Sequence, residues 1–479
     1  MSLYTFYCRI YQGIFRLASP LLPWREPQLL EGPGSLKQLP ALLKLHAIGK
    51  VLIVTDQGIT RLGLMDGLLE GFRKEVIGYF IFDGTVPNPT VDNIETALGH
   101  YHREDCQAIL AFGGGSPMDC AKAVGARVAR PDKSIASMKG VLKVLRRLPP
   151  LIAVPTTAGT GSEATLAAVV SNPDTHEKYP VNDHALIPHF AILDPELTVR
   201  LPGHITATTG MDALTHAVEA FIGCSNTRET ELDAIEATRL VMENLGRVYR
   251  NPSELAGRGR LLRAAYLAGK SFTRAYIGYV HAIAHTLGGF YGTPHGLANA
   301  VILPHMLEYY GQAAVVRLAR LARESGTVDA TLDDRTAAAA FIAIVRVMNQ
   351  ELGIPAFLEG IQDSDIPLMV KRALAEANPL YPVPVILGET DLLRLFDLIR
   401  GKEDPRADTA QTVAAPISET ASTGIPGTEG RGEKKTVHGE SMRYLEIDLS
   451  SRSFTVYTPV EADLRDYIGG KGLEIGRAH

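Results

Sequence analysis

Three of the chain's fourteen histidines fall within residues 281–295, HAIAHTLGGFYGTPH. His281 and His285 are four apart in an apolar run, 280–287, with helical spacing. That spacing puts both rings on one helix face, one turn apart. Gly288 and Gly289 then read as the end of the helix, and a Thr-Pro turn presents His295. Upstream, GMDALTHAVEA sets Asp212 and His216 four apart among helix formers. Two such pairs on two helices can converge. One carboxylate and three imidazoles form a borderline-hard donor set that suits Fe²⁺ or Zn²⁺. Each histidine alone reads more simply as a core or surface residue; the joint spacing points to a metal centre. His285, one turn from His281, reads as a proton relay or substrate-positioning group, with a ligand-orienting role as the alternative.

A metal centre of this kind needs a scaffold, and the first half reads as α/β. Compact apolar runs at 50–55, 76–82, 108–112, 151–154 and 190–193 are expected strands. Helical patterns at 62–72, 91–101 and 118–127 separate most of them. Continuous apolar strands alternating with helices indicate a parallel sheet covered on both faces, with ligands outside the strands' carboxyl ends. The third strand runs into GGGSPMDCAK. There Gly113, Gly114 and Gly115 let backbone approach a ligand. Ser116 is expected as an N-cap and Pro117 at the first helical position. Free N–H groups at that helix start would hold a pyrophosphate; a plain glycine-rich turn is the competing reading. The next strand runs into PTTAGTGSEAT, where Thr156, Thr157, Thr160 and Ser162 are dense small donors, a phosphate or ribose cradle or a polar loop. Asp56, ending the first strand, reads equally as a ribose acceptor favouring NAD or as a helix cap. No G-x-G-x-x-G occurs, so a standard Rossmann fingerprint is excluded.

From about 203 to 400 the periodicity is helical, at 229–248, 258–274, 313–323, 336–352, 365–376 and 389–399. The expected organisation is an N-terminal extension over 1–29, an α/β domain over 30–200 and an all-helical metal domain over 201–400. A flexible linker follows over 401–441, then a terminal piece over 442–479 with strands at 442–449 and 453–457 and a helix at 460–467. In the extension, Leu3, Phe6, Tyr7, Ile10, Ile14 and Leu17 make a helical stripe interrupted by Arg9 and Arg16. It reads as an amphipathic helix docked on the protein body or used between subunits, with a membrane-surface helix as the lesser reading.

Composition narrows the classes. The chain of 479 residues is 46% hydrophobic and 21% charged, ordinary for a globular protein. A net charge of -5 supplies no basic field for nucleic acid. Four cysteines without a CxxC argue for a reducing compartment and a cytoplasmic location. No apolar run approaches the ~18–20 residues of a membrane span.

VTD at 54–56, PNPT at 87–90, GGGSPMDCAK at 113–122, PTTAGTGSE at 155–163, GMDALTHAVEA at 210–220 and HAIAHTLGGFYGTPHGLANA at 281–300 occur in one order. By these motifs the chain resembles the iron-containing (group III) alcohol dehydrogenases. The resemblance implies a dehydroquinate synthase-like fold: an α/β N-terminal cofactor domain plus an all-α C-terminal metal domain. It implies a metal on Asp212, His216, His281 and His295. It implies NAD along Asp56, Asn88, Gly114, Gly115, Ser116, Thr156, Thr157, Thr165, Lys178 and Leu197, with His285 near the nicotinamide. It further implies a small alcohol or aldehyde substrate and a homodimer or higher homo-oligomer. Phe272, Ile277 and Phe290 read equally as pocket-facing and as core residues. A lyase on the same fold, like dehydroquinate synthase, is the alternative activity, and a non-catalytic assembly protein a third reading. Residues 442–479 resemble the opening of the tungsten-containing aldehyde ferredoxin oxidoreductases, and are expected as a truncated fragment without activity, with a disordered tail as the favoured reading.

Overall fold

The computed structural model describes residues 2–19, 22, 24–172 and 177–402, with backbone alone for 444–448 and 453–457. It divides into one unit spanning 1–404 and a second spanning 405–479. In the second, strands at Tyr444–Asp448 and Ser453–Tyr457 pair as an antiparallel hairpin, as expected. The expected helix at 460–467 and nearly all of the linker lie outside the described residues.

The first unit opens with helix α1 (Leu3–Ala18). Its first nine strands are β1 (Gln28–Glu31), β2 (Lys50–Val54), β3 (Gly78–Phe82), β4 (Ala108–Gly113), β5 (Gly140–Val141), β6 (Leu151–Pro155), β7 (Ala167–Asn172), β8 (Glu177–Asn182) and β9 (Phe190–Leu193). Six of them form a wholly parallel sheet in the order β1-β9-β6-β4-β2-β3. The apolar runs are continuous because both faces are covered. Leu52 and Val54 join one core with Ile109 and Ala111, while Val51 and Ile53 join the opposite core with Leu110 and Phe112. Helices α2 (Leu39–Leu45), α3 (Gln57–Arg61), α4 (Asp66–Lys74), α5 (Val91–Arg103) and α6 (Gly115–Ala129) pack around the sheet. The chain leaves β2 toward β3 on one side and β4 on the other, so the strand order reverses between β2 and β4. Ligands in open α/β sheets bind at such a switch point.

Residues 203–399 are helical throughout their regular elements: α7 (Gly203–Ile222), α8 (Arg228–Arg250), α9 (Leu255–Ala275), α10 (Tyr279–Tyr291), α11 (His295–Tyr310), α12 (Gln312–Glu324), α13 (Asp334–Glu351), α14 (Ile366–Ala377) and α15 (Glu389–Ile399). The axis of this part is α7, buried almost continuously from Thr206 to Ile222. Gly210 lets α8 approach it: a Cβ there would meet Leu245 Cδ1 at 2.4 Å.

Several expectations are corrected. The helix expected over 62–72 is two helices, α3 and α4, because Gly63 takes φ +65° between them. Ser116 is not an N-cap and Pro117 is not the first helical residue; α6 starts at Gly115, capped by Gly114 without a side-chain bond. Gly288 and Gly289 do not end α10, which continues to Tyr291 and stops at Gly292, φ +65°. Gly288 instead admits Lys178, whose Nζ lies 2.9 Å from where a Cβ would stand. The short edge strand β1 and the three-stranded sheet β5-β8-β7 were not foreseen. The strand β8 carries Pro180 and charged residues, which mask its pattern. Finally, α1 docks by its polar face: Gln12 and Cys8 are buried, while the apolar stripe is exposed.

The loop after β6 is locked onto α9. Gly161 takes φ +61°, and a Cβ there would stand 2.5 Å from Ala265 O and 2.8 Å from Gly269 Cα. Two glycines therefore meet backbone to backbone. Gly161→Ala should destabilise the fold by about 2–3 kcal/mol through strain and overpacking, measured as a lowered midpoint in urea unfolding.

Candidate metal centre and cofactor cleft

Three helices bring the expected donors together. Asp212 and His216 project from α7, His281 from α10, and His295 begins α11. One donor atom from each of the four lies within 4.8 Å of the others. Asp212 Oδ1 stands 4.0 Å from His216 Nδ1, 3.9 Å from His281 Nε2 and 3.6 Å from His295 Nε2. Ligands about 2.1 Å from a tetrahedral ion sit roughly 3.4 Å apart, so the cage needs only a slight contraction.

The electrostatics fit a cation. His216 Nδ1 and His281 Nε2 are buried without a hydrogen-bond partner. Buried polar atoms are usually satisfied, and these two nitrogens converge with Asp212 and His295 on one point. Burial lowers the pKa of His216, holds that of His281 well below its ordinary value and pulls that of His295 down to about 3. The rings are neutral with lone pairs available, as metal ligation requires. The residues present therefore fit a divalent ion with mixed nitrogen and oxygen preference.

Two neighbours that sequence reasoning missed set the geometry. Glu219, buried on α7, places Oε2 2.5 Å from His281 Nδ1. Its carboxylate also accepts from the N–H groups of Gly278 at 3.0 Å and Val280 at 2.8 Å. Burial pushes its carboxyl up to about 8. A hydrogen on Nδ1 directs the Nε2 lone pair toward the cage. The signal was present: Asp212, His216 and Glu219 follow i, i+4, i+7 on one face. Asn299, one turn after His295, donates Nδ2 to Asp212 Oδ1 at 2.7 Å and lies 3.1 Å from His295 Nε2.

His285 stands beside the cage. Its ring stacks on His295 at 5.2 Å and 13°. Its Nδ1 lies 2.7 Å from Glu376 Oε1, which also accepts from the Tyr381 hydroxyl at 2.9 Å. Phe272 stacks on His216 at 4.3 Å, so it touches the centre. Ile277 and Phe290 pack against the helical core.

The expected cofactor residues occupy three kinds of place. Asp56, Asn88, Gly114, Gly115, Ser116, Thr156 and Thr157 follow the carboxyl ends of β2, β3, β4 and β6. Asp56 Oδ1 accepts from Ile59 N–H at 3.0 Å, so it does cap α3. Ser116 Oγ accepts from Asn88 N–H at 3.2 Å, tying two of these loops together. Gly115 faces Thr160, whose Cγ2 would meet a Cβ at 2.9 Å. With glycine as N-cap, no side chain hydrogen-bonds to the first turn of α6 as a cap, which leaves donors for an anion. Lys178 reaches α10 from β8, and burial lowers its pKa. Thr165 and Leu197 are instead buried, at 2% and 6% exposure. Both the carbonyl and the hydroxyl of Thr165 accept from Lys122 at 2.8 Å. Leu197 belongs to the sheet core.

Glu219→Gln should weaken metal affinity about 10–100-fold, read by competition with a chromophoric chelator. His216→Ala should abolish stoichiometric metal; its retention would refute this ligand set.

Both halves of the chain match known proteins. The family model for iron-containing alcohol dehydrogenase matches residues 27–195, and that for the C-terminal part of the Fe-containing alcohol dehydrogenase family matches 206–397. The chain is 38% identical over 351 residues to 1,3-propanediol dehydrogenase of Klebsiella pneumoniae, covering 72% of this chain and 90% of that one. It is 35% identical over 359 residues to an NAD-dependent methanol dehydrogenase of Bacillus methanolicus, covering 74% and 94%. The crystal structure of a 1,3-propanediol oxidoreductase superposes with a TM-score of 0.75 at 36% identity, covering 78% of this chain and 98% of that one. The α/β sheet half, the all-helical half and the two consecutive model matches lead to one conclusion: this chain belongs to the iron-containing alcohol dehydrogenase family.

Proposed function

We propose that the chain transfers hydride between a small primary alcohol or diol and NAD, with Fe²⁺, or Zn²⁺ as the alternative, held by Asp212, His216, His281 and His295. The carrying observation is the cage of one carboxylate and three imidazoles, all but His295 buried, with two orphaned nitrogens. The relatives support the substrate class, since their names specify 1,3-propanediol and methanol. The methanol dehydrogenase, named as NAD-dependent, supports the cofactor.

When bound, the ion supplies Lewis acidity to the alcohol oxygen and the nicotinamide accepts the hydride. The chain's own groups do the rest. Asp56, Asn88, Gly114, Gly115, Ser116, Thr156 and Thr157 hold the dinucleotide beside Lys178, with Thr165 and Leu197 packed behind them. Phe272, stacked on His216, excludes water from one side of the centre. Glu376 holds His285 Nδ1, which directs Nε2 toward proton exchange with the substrate.

The wider reading keeps an α/β domain at 30–200, a metal domain at 201–400, an extension at 1–29, a linker at 401–441 and an aldehyde ferredoxin oxidoreductase-like fragment at 442–479. No helix among the described residues is long and apolar enough to cross a membrane. A cytoplasmic homodimer or higher homo-oligomer is proposed.

The test is an anaerobic NADH absorbance assay on apo protein reloaded with Fe²⁺ or Zn²⁺, across C2–C6 alcohols and 1,2- or 1,3-diols. Metal-dependent NADH formation is expected. Metal and NAD binding without NADH release on any substrate would favour the lyase alternative, which regenerates its NAD. His285→Ala should lower kcat about 10²–10⁴-fold and change the pH profile; full turnover with an unchanged profile removes His285 from proton transfer.

A further inference from the structure

The apolar stripe of α1 faces outward because its polar side chains are claimed by the body. Arg9 donates to Val383 O at 2.8 Å and Pro384 O at 2.9 Å. Gln12 donates Nε2 to Pro379 O at 3.0 Å and Tyr381 O at 2.7 Å. The acceptor stretch contains Pro379, Pro382 and Pro384 and no regular element. Its carbonyls need outside donors, and α1 supplies them. Opposite, Leu3 is 86% exposed, Phe6 49%, Tyr7 53%, Ile10 47%, Ile14 60% and Leu17 80%.

The exposed area is that of an interface. At roughly 200 Å² for a fully exposed large apolar side chain, these six residues present on the order of 700 Å². That exceeds the roughly 300–600 Å² patch of a typical monomer and approaches the ~800 Å² that each partner buries in a standard interface.

We propose that this face joins two copies of the chain, their α1 helices antiparallel about a two-fold axis at Ile10. The proposal rests on the homo-oligomer reading above and names its surface. In that register Leu3 faces the partner subunit's Leu17, Phe6 faces the partner subunit's Ile14, and Ile10 meets its own copy. Tyr7 then faces the partner subunit's Gly13. Gly13 has open space where a Cβ would stand, with nothing within 4 Å, so it can receive the tyrosine ring. One patch satisfies itself, as an isologous contact must. An anionic membrane fits less well: it needs basic groups free at the rim of the apolar face, whereas Arg9 is bonded inward to two carbonyls, Arg16 to Cys224 O and Arg25 to Ala185 O. Residues 2–26 precede the region matched to the family model, so the surface lies outside it.

The experiment is light-scattering mass of the full chain beside Ile10→Glu and Gly13→Leu, each checked for an unchanged far-UV spectrum and dehydrogenase activity. The expected result is an oligomer whose mass halves in both variants. Ile10→Cys should also give a covalent dimer with a short bis-maleimide, well above the unsubstituted chain, which controls for the exposed Cys224. An oligomer whose mass neither variant changes, with no Ile10→Cys dimer, overturns the α1 contact while leaving the homo-oligomer reading standing. A monomeric wild type overturns both, and its co-sedimentation with phosphatidylglycerol vesicles would assign the face to a membrane.

Discussion

The buried contact between Glu219 and His281 is the constraint around which the helical half is arranged. A carboxyl and an imidazole are costly to bury; here the carboxyl is satisfied by His281 Nδ1 and by two backbone N–H groups at the start of α10, and His281 Nε2 is left for the cage. That arrangement fixes where α10 begins relative to α7, and with it the height of His281 opposite Asp212 and His216. It also explains why α7 is buried along nearly its whole length: the helix carrying two ligands and their support must be immobile on all sides. A centre assembled from three helices is only as precise as their packing.

The cofactor side is organised by close backbone approach. Gly113 to Ser116 and Thr156 to Ser162 lie at the ends of adjacent parallel strands; Gly114 and Gly115 make room for Thr157 and Thr160, Gly159 for Thr209 of α7 and Gly161 for α9. Lys122, at 1% exposure, has its ammonium pulled down to about 8 by burial. It spends three hydrogen bonds on the Thr165–Ala167 backbone and the Thr165 hydroxyl. A buried lysine that saturates carbonyls in this way holds the second loop against α6. The cradle is rigid because its hydrogen bonds and contacts are internal.

The N-terminal helix shows that amphipathicity alone does not tell which face meets the body. Burying an apolar stripe is the usual outcome. Here a proline-rich stretch on the body offers carbonyls rather than apolar surface, and Arg9 and Gln12 match it. The apolar face is left for another surface.

Spacing in the chain determined much on its own. The i,i+4 pairs Asp212/His216 and His281/His285, the apolar strand runs, and the glycine–threonine motifs at the strand ends depend on local periodicity, which sequence carries directly. The parallel sheet, the helical second half and the four converging donors were legible for that reason. Tertiary structure decided the rest. Whether Gly288 ends a helix or admits Lys178 depends on what approaches it, and α10 runs on to Gly292. Whether Thr165 faces a ligand or a lysine depends on α6. Glu376 reaches His285 from 91 residues away, and no local pattern encodes that distance. The sheet containing β8 was hidden because its pairing, not its hydrophobicity, defines it. Local geometry is written in the order of residues; the partner each side chain meets is set only when distant segments pack.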